Sequence, residues 1–339
     1  MIIDLRSDTL TKPSQSMLAA MMQAEVGDNV FNEDPTITAL EEKVAQMFGH
    51  EAALFCPSGT MTNQIAISVH TQPGDEVICE KSSHVYKYEG GGIAVNSSCS
   101  IKTIEGTYGK ITPEEILANI NPDDAHFPVS KLVSIENSTN IGGGNVYSIE
   151  EIKAIYDLCK ANNLIFHLDG ARIFNALVTT GNSPKEIGQY FDSISICLSK
   201  GLGAPVGSVL LGSKDFIYKA HRRRKVFGGG MRQAGYLAAA GIYALDNNID
   251  RLADDHKAAK LLSDTLSTLP YVKEVLPVKT NIVIFKLDDS ITGQAYIDKL
   301  AQHNIIALSL GPDLVRFVLH LDVTSEMVEK VNNTIKKLI

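Results

Sequence analysis

The sequence predicts an α/β protein: a mostly parallel sheet in a large domain, with a smaller α/β unit at the C-terminal end. Three observations carry that expectation. Short apolar runs alternate with helical patterns from about residue 50 to 245, as a parallel sheet covered on both faces requires. Two of those runs, Leu164 to Leu168 and Ile194 to Leu198, lead into Asp169-Gly170 and Lys200-Gly201. From Val272 the rhythm changes to shorter strands interleaved with helical patterns.

Residues 1–35 read mostly as an extended arm and loops. Asp4, Arg6, Ser7, Asp8 and Thr9 form a polar knot, and 28–35 holds turn formers without periodicity. The spacing of Ile37, Leu40, Val44, Met47 and Phe48 predicts a helix over 36–48, stopped by Gly49. A short strand over 52–56 leads through Pro57-Ser58-Gly59 into a helix over 60–69. Strands follow at 76–80, 100–104 and 131–136, with His84 at the end of the first. Gly90-Gly91-Gly92 marks close backbone packing or a mobile loop. Thr112-Pro113-Glu114-Glu115 starts a helix with proline at its first position and acids in its first turn. Residues 137–146 are a Gly- and Asn-rich loop, and the box Ser148-x-x-Glu151 opens a helix over 148–161. A short helix over 171–178 follows the Asp169 strand. Beyond Lys200 come a returning strand over 205–211 and helices over 214–225, 231–247 and 251–267. The small unit has strands from 272, at 281–285, 307–310 and 315–319, and helices over 292–303 and 325–335. The expected division is an arm, 1–35, a large domain, 36–247, and a small domain, 248–339.

Composition narrows the function. The chain has 339 residues, 44 % apolar and 21 % charged, which is ordinary for a globular protein. A net charge of −8 argues against a nucleic-acid partner; His221-Arg222-Arg223-Arg224-Lys225 is the one basic run. That run reads as a solvated helix face or a contact for a phosphate or a subunit. No apolar stretch has membrane-spanning length, and the N-terminus lacks the pattern of a signal peptide. Five widely spaced cysteines read as buried thiols in a reducing, cytoplasmic setting. None of them forms a cluster with zinc spacing, so no metal is expected.

The polar residues at strand ends point to one chemistry. Ligands of open α/β sheets bind outside the carboxyl ends of the strands. An acid there and a lysine there are the pair that pyridoxal phosphate (PLP) needs, one facing a ring nitrogen and one forming an imine. Lys200 and Asp169 meet those demands. Gly59 and Thr60, at a helix start, offer unpaired amides to a phosphate, although Ser58 there also serves as an ordinary N-cap. His84 is a flat group for the ring face, and Arg172 falls near Asp169. An amino-acid substrate needs an arginine fork for its carboxylate. The candidates are Arg6, Arg172, Arg232 and Arg316. His84 and His126 are possible acid–base groups, Glu89 a partner able to orient His84, and His167 a structural or supporting residue.

The chain resembles the low-specificity L-threonine aldolases. The motifs that carry the resemblance are Asp4-Leu-Arg-Ser-Asp-Thr9, Gly27-Asp28 with Glu33-Asp-Pro-Thr36, and Ser58-Gly-Thr-Met-Thr-Asn63. His167-Leu-Asp-Gly-Ala-Arg-Ile-Phe-Asn175, Ser199-Lys-Gly-Leu-Gly-Ala-Pro-Val-Gly207 and Gly228-Gly-Gly-Met-Arg-Gln-Ala-Gly235 complete the set. The similarity spans Asp4 to about Asp322.

The resemblance implies the PLP-dependent transferase fold of type I, a seven-stranded, mostly parallel sheet, and a homotetramer with shared active sites. It implies Lys200 as the Schiff-base lysine, Asp169 at the pyridine nitrogen, Arg172 near the ring oxygen, and Gly59 and Thr60 at the phosphate. It places His84 on the ring and Ser7, Arg172 and Arg316 at the substrate carboxylate. His84 and His126 become base or water-positioning groups, and Arg232 reaches a neighbouring subunit's cofactor or the interface. The implied reaction is retro-aldol cleavage of L-threonine, L-allo-threonine and related L-β-hydroxy-α-amino acids to glycine and an aldehyde. Other type I activities, such as β-elimination, transamination or hydroxymethyl transfer, share the cofactor residues. Two positions depart from the family pattern: Thr139 stands where a histidine is usual, and Phe31 where many relatives have tyrosine.

Overall fold

The computed structural model describes residues 2–339. Its large sheet has seven strands. Their spatial order is Ala52–Cys56, Ser208–Gly212, Ser193–Cys197, Ile165–Gly170, Ser130–Glu136, Glu76–Glu80 and Ser100–Ile104. Only Ser208–Gly212 runs antiparallel to its neighbours. Five parallel strands therefore lie side by side, from Ser193–Cys197 to Ser100–Ile104. The central strands are buried at nearly every position because helices cover both faces.

The small unit is a four-stranded antiparallel sheet in the order Leu308–Ser309, Leu314–Val318, Ile282–Leu287, Val272–Val275. Helices Leu252–Leu266, Gly293–Gln302 and Ser325–Ile335 pack around it. A short strand of the arm, Ile3–Asp4, pairs in parallel with Ile305–Ile306 and so fixes the chain start to this unit.

The arm is less extended than the sequence suggests. Gln15–Met22 is a helix, capped by the Ser14 hydroxyl at 3.2 Å from the Met17 amide. Met17 is fully buried in the large core. Eight residues are too few for apolar periodicity to stand out, so the packing contact rather than the pattern defines this element. The helix expected from 231 starts later, as Gly235–Asn247. Asp34 explains the shift: one carboxylate oxygen caps Pro35–Phe48 at Ile37, and the other accepts from the Gly235 amide at 2.8 Å. A Cβ at Gly235 would sit 2.4 Å from that carboxylate, so only glycine permits the approach. The Gly90-Gly91-Gly92 run is close packing, since a Cβ at Gly92 would meet Gln64 at 2.5 Å. His84 is not at a strand end but at the start of a helical turn, His84–Lys87.

The outer strand Ala52–Cys56 has a free edge that two buried side chains close. The Phe55 amide donates to Glu41 Oε1 at 2.7 Å, and Arg224 Nη1 donates to the Phe55 carbonyl at 2.6 Å. Burial pushes the Glu41 carboxyl up to about 7, from an ordinary 4.5. A folded-state value above the unfolded one means that stability falls as pH rises through that window. Glu41→Gln keeps an acceptor for Phe55 and removes the ionisation. Its melting temperature should exceed that of the unsubstituted protein by about 2 °C or more at about pH 8, with the gain gone near pH 5. A lower melting temperature at the higher pH would show that the Arg224 charge needs the carboxylate.

Candidate active site

Four adjacent parallel strands each deliver a polar side chain at their carboxyl edge. Glu76–Glu80 leads to His84, Ser130–Glu136 ends in Glu136, Ile165–Gly170 carries Asp169, and Ser193–Cys197 leads to Lys200. Asp169 pairs in register with Ser195, so the acid and the lysine share one sheet edge on neighbouring strands. The charges of both act on the His84 ring, Asp169 raising and Lys200 lowering its imidazole.

Asp169 is 2 % exposed and accepts from Asn63 Nδ2 at 2.9 Å and from the Ala171 amide at 3.1 Å. Asn63 Nδ2 also donates to Glu89 Oε1 at 2.9 Å. Glu89 is fully enclosed, holds His84 Nδ1 at 2.9 Å and accepts from Gln64 Nε2 at 2.6 Å. Burial opposes the positive form of His84, but the Glu89 hydrogen bond and the Asp169 charge outweigh it and raise the imidazole above its ordinary value. His84, Glu89 and Asp169 offer ligand atoms within 4.8 Å of one another, a grouping invisible in their sequence spacing. Glu136 accepts from the His84 and Asn140 amides, and burial together with the Asp169 charge raises its carboxyl.

The phosphate-type cup is the N-terminus of helix Gly59–His70. Ser58 caps it by accepting from the Met61 amide at 3.2 Å, so the cap reading holds for this turn. Beside it the buried Ser208 hydroxyl makes no hydrogen bond, 3.5 Å from where a Cβ on Gly59 would stand. A buried, unpaired donor next to helix-start amides is a place for an anion.

Arg172 is buried and forked onto Asp8, with Nε and Nη2 each 2.7 Å from a carboxylate oxygen. Burial works against the Asp8 charge, yet Arg172 holds it at about 2. Nη1 and the second Nη2 hydrogen of Arg172 are left for a ligand, less than the sequence reading allows it. Arg316, on strand Leu314–Val318, donates to Asn140 Oδ1 at 2.8 Å and to the Arg6 carbonyl at 3.0 Å. Its buried Nε has no partner among the described residues. Burial and the Arg172 charge lower the guanidinium to about 10, the mark of a cation short of an anion. Ser7 is half-buried and accepts from Thr9. Lys200 is half-buried, its carbonyl held by the Thr11 hydroxyl at 2.8 Å and its amine free of hydrogen bonds among the described residues.

Three expected site residues stand outside this cluster. His126 is on the loop that enters the opposite, amino end of strand Ser130–Glu136, with its side chain 88 % exposed and paired to Asp124. Arg232 pairs with Asp28 at 2.8 Å on the surface and lies over the exposed Phe31 ring at 5.9 Å. Both Arg232 and Phe31 thus belong to a surface patch of this chain. Thr139 is buried against the 106–110 turn, its hydroxyl donating to the Tyr108 carbonyl, one residue before the Asn140 that steadies Arg316. The sequence reading has Asn63 facing the site or the sheet, passes over Glu136 and Asn140 as site residues and leaves Asp8 in a polar knot. The signal available was their place at the ends of strands or inside the motif that also carries Gly59.

Comparison with known proteins gives the same direction. A family model described as β-eliminating lyase matches residues 4–290. The low specificity L-threonine aldolase of Escherichia coli K12 is 44 % identical over 331 residues, covering 97 % of each chain. The Saccharomyces cerevisiae protein of the same name is 38 % identical, covering 98 % of this chain and 86 % of its own. A structure titled as Leishmania major threonine aldolase superposes with a TM-score of 0.85 at 22 % identity, covering 99 % of both chains, which establishes the shared fold. The chain belongs to the β-eliminating lyase family, and within it to the low-specificity L-threonine aldolases.

Proposed function

We propose that this chain cleaves L-threonine and L-allo-threonine, and other L-β-hydroxy-α-amino acids, to glycine and an aldehyde, with PLP as cofactor. The observation that carries this is the place of Asp169 on the strand beside the one that leads to Lys200, with His84 and Glu89 gathered against Asp169. The residues present fit PLP. Lys200 offers a free amine, Asp169 a buried carboxylate, and Gly59, Thr60 and Ser208 unpaired donors for a phosphate. Bound PLP supplies an electron sink for the pair released as the Cα–Cβ bond breaks.

The protein's own groups do the rest. Asp169 would be the counter-ion to a protonated ring nitrogen when the cofactor is bound. Arg316 grips the substrate carboxylate, with Ser7 and the free Nη1 of Arg172 beside it. In the neutral ring Glu89 accepts from Nδ1–H of His84, so Nε2 is the bare nitrogen and can take the β-hydroxyl proton, and the raised imidazole makes it a stronger base. The aldehyde then departs, and Cα gains a proton to become glycine. Arg316 grips only what all amino acids share, so discrimination among side chains is weak.

Incubation of the purified protein and PLP with L-threonine or L-allo-threonine should yield equal amounts of glycine and acetaldehyde. Ammonia with an oxoacid would overturn the aldolase reading in favour of elimination. We also propose a homotetramer: the exposed Phe31, and a groove where Val30 and Val226 lie beside Arg222 and Lys225, support burial against other copies. Light scattering on the same preparation should give four chain masses of 36.7 kDa, and a monomer would exclude it. No helix of the described residues is long and apolar enough to cross a membrane. The free, buried cysteines support a reducing, cytoplasmic location.

A further inference from the structure

Helix Gly59–His70 carries a buried polar residue that substrate contact does not explain. Asn63 is 1 % exposed. Its Nδ2 is 2.9 Å from both Glu89 Oε1 and Asp169 Oδ2, and its Oδ1 is 3.1 Å from His167 Nε2. His167 is fully buried, with Nδ1 2.8 Å from Ser193 Oγ. Ser193 Oγ is in turn 3.0 Å from His70 Nε2.

Chemistry assigns a direction to every bond in this chain. An ionised carboxylate only accepts, so both Nδ2 hydrogens of Asn63 go to Glu89 and Asp169. Oδ1 must then accept, which makes Nε2 the protonated nitrogen of His167. Burial lowers His167 to about 4, so it is neutral near pH 7 and its Nδ1 is bare. That Nδ1 takes the Ser193 hydroxyl hydrogen, and Ser193 Oγ accepts from His70. Every bond therefore points the same way, from the amino edge of the sheet toward the two carboxylates. Asparagine does not pass a proton along such a chain, so what the chain transmits is orientation.

Two carboxylates this close repel each other. The Asn63 amide, set between them, donates a charge-assisted hydrogen bond to each. Turned over, the same amide would present its oxygen to both. We propose that Asn63 is a positioning residue that holds the Asp169 and Glu89 carboxylates side by side, and that His167 dictates which way the Asn63 amide faces. The inference rests on the PLP reading above and deepens it.

The test is PLP titration of the apoproteins, followed by the absorbance of the lysine adduct, with folding checked by circular dichroism. Asn63→Ala should bind PLP about tenfold to a hundredfold more weakly, and His167→Ala about tenfold more weakly. His167→Gln should stay near the unsubstituted protein, because its amide supplies both a donor and an acceptor. At saturating PLP the KM for L-threonine should stay within about twofold throughout, since the Arg316 contacts are untouched. Folded Asn63→Ala and His167→Ala proteins that bind PLP as tightly as the unsubstituted chain would overturn the positioning role. If Asn63→Ala does not fold, His167→Ala against His167→Gln makes the same comparison. An unsubstituted protein that forms no adduct would sink the PLP reading instead.

Discussion

Asp169→Ala is expected to lose nearly all turnover and most of its hold on PLP. The carboxylate is buried and stands on the strand beside the one that leads to Lys200, where it can balance a charged ring nitrogen. Removing one member of a buried ion pair costs about 3–5 kcal/mol, because the remaining charge is left without a partner. That corresponds to roughly a hundred- to a few-thousand-fold in kcat at saturating PLP. The substitution also frees the Asn63 amide and the Ala171 N–H, both of which now donate to Asp169. The measurements are kcat under excess PLP and the PLP dissociation constant. Near-normal turnover from a folded Asp169→Ala protein would remove the counter-ion role and with it the proposed electron sink.

Arg316→Ala should raise KM by about thirtyfold or more for L-threonine, L-allo-threonine and L-serine alike, with kcat changed far less. Truncating one partner of a buried charge pair costs about 2–5 kcal/mol, and the lost contact is to the carboxylate that all these substrates share. The structure explains why this arginine is poised. Asn140 and the Arg6 carbonyl fix the guanidinium plane, while Nε has no partner. Its lowered value, about 10, still leaves it charged at neutral pH, so the KM effect should not vary between about pH 6 and 8. Arg316→Lys should recover only part of the loss, since an ammonium cannot fork. An unchanged KM in Arg316→Ala would move the anchor to the free Nη1 of Arg172.

Much of this architecture is legible in local patterns. Apolar runs ending at Cys56, Glu80, Glu136, Asp169 and Cys197 are strands of one sheet, as their alternation with helices implies. The caps at Ser58, Thr112 and Ser148 follow from side chains that accept from nearby amides, a purely local rule. Position along the chain was a poorer guide for residues acting at a distance. His126 belongs to a polar loop whose own fold turns it to solvent, and Arg232 is satisfied by Asp28 before it reaches any ligand. Arg172 looked free beside Asp169, yet its fork is filled by Asp8 from the arm, 164 residues away.

The sequence by itself determined the fold class, the acid and the lysine at strand ends, and the glycine-led helix start between them. Those depend on periodicity and on residue type, which are properties of short segments. Only the tertiary structure decided that Asn63 stands between Asp169 and Glu89, that Asp8 occupies Arg172, and that Arg316 is left with an unpaired Nε. Hydrogen bonds such as Asn63 to Asp169 join residues 106 apart. Their direction is settled by which buried donor finds which acceptor once the sheet and helices have packed, and no local pattern records that choice.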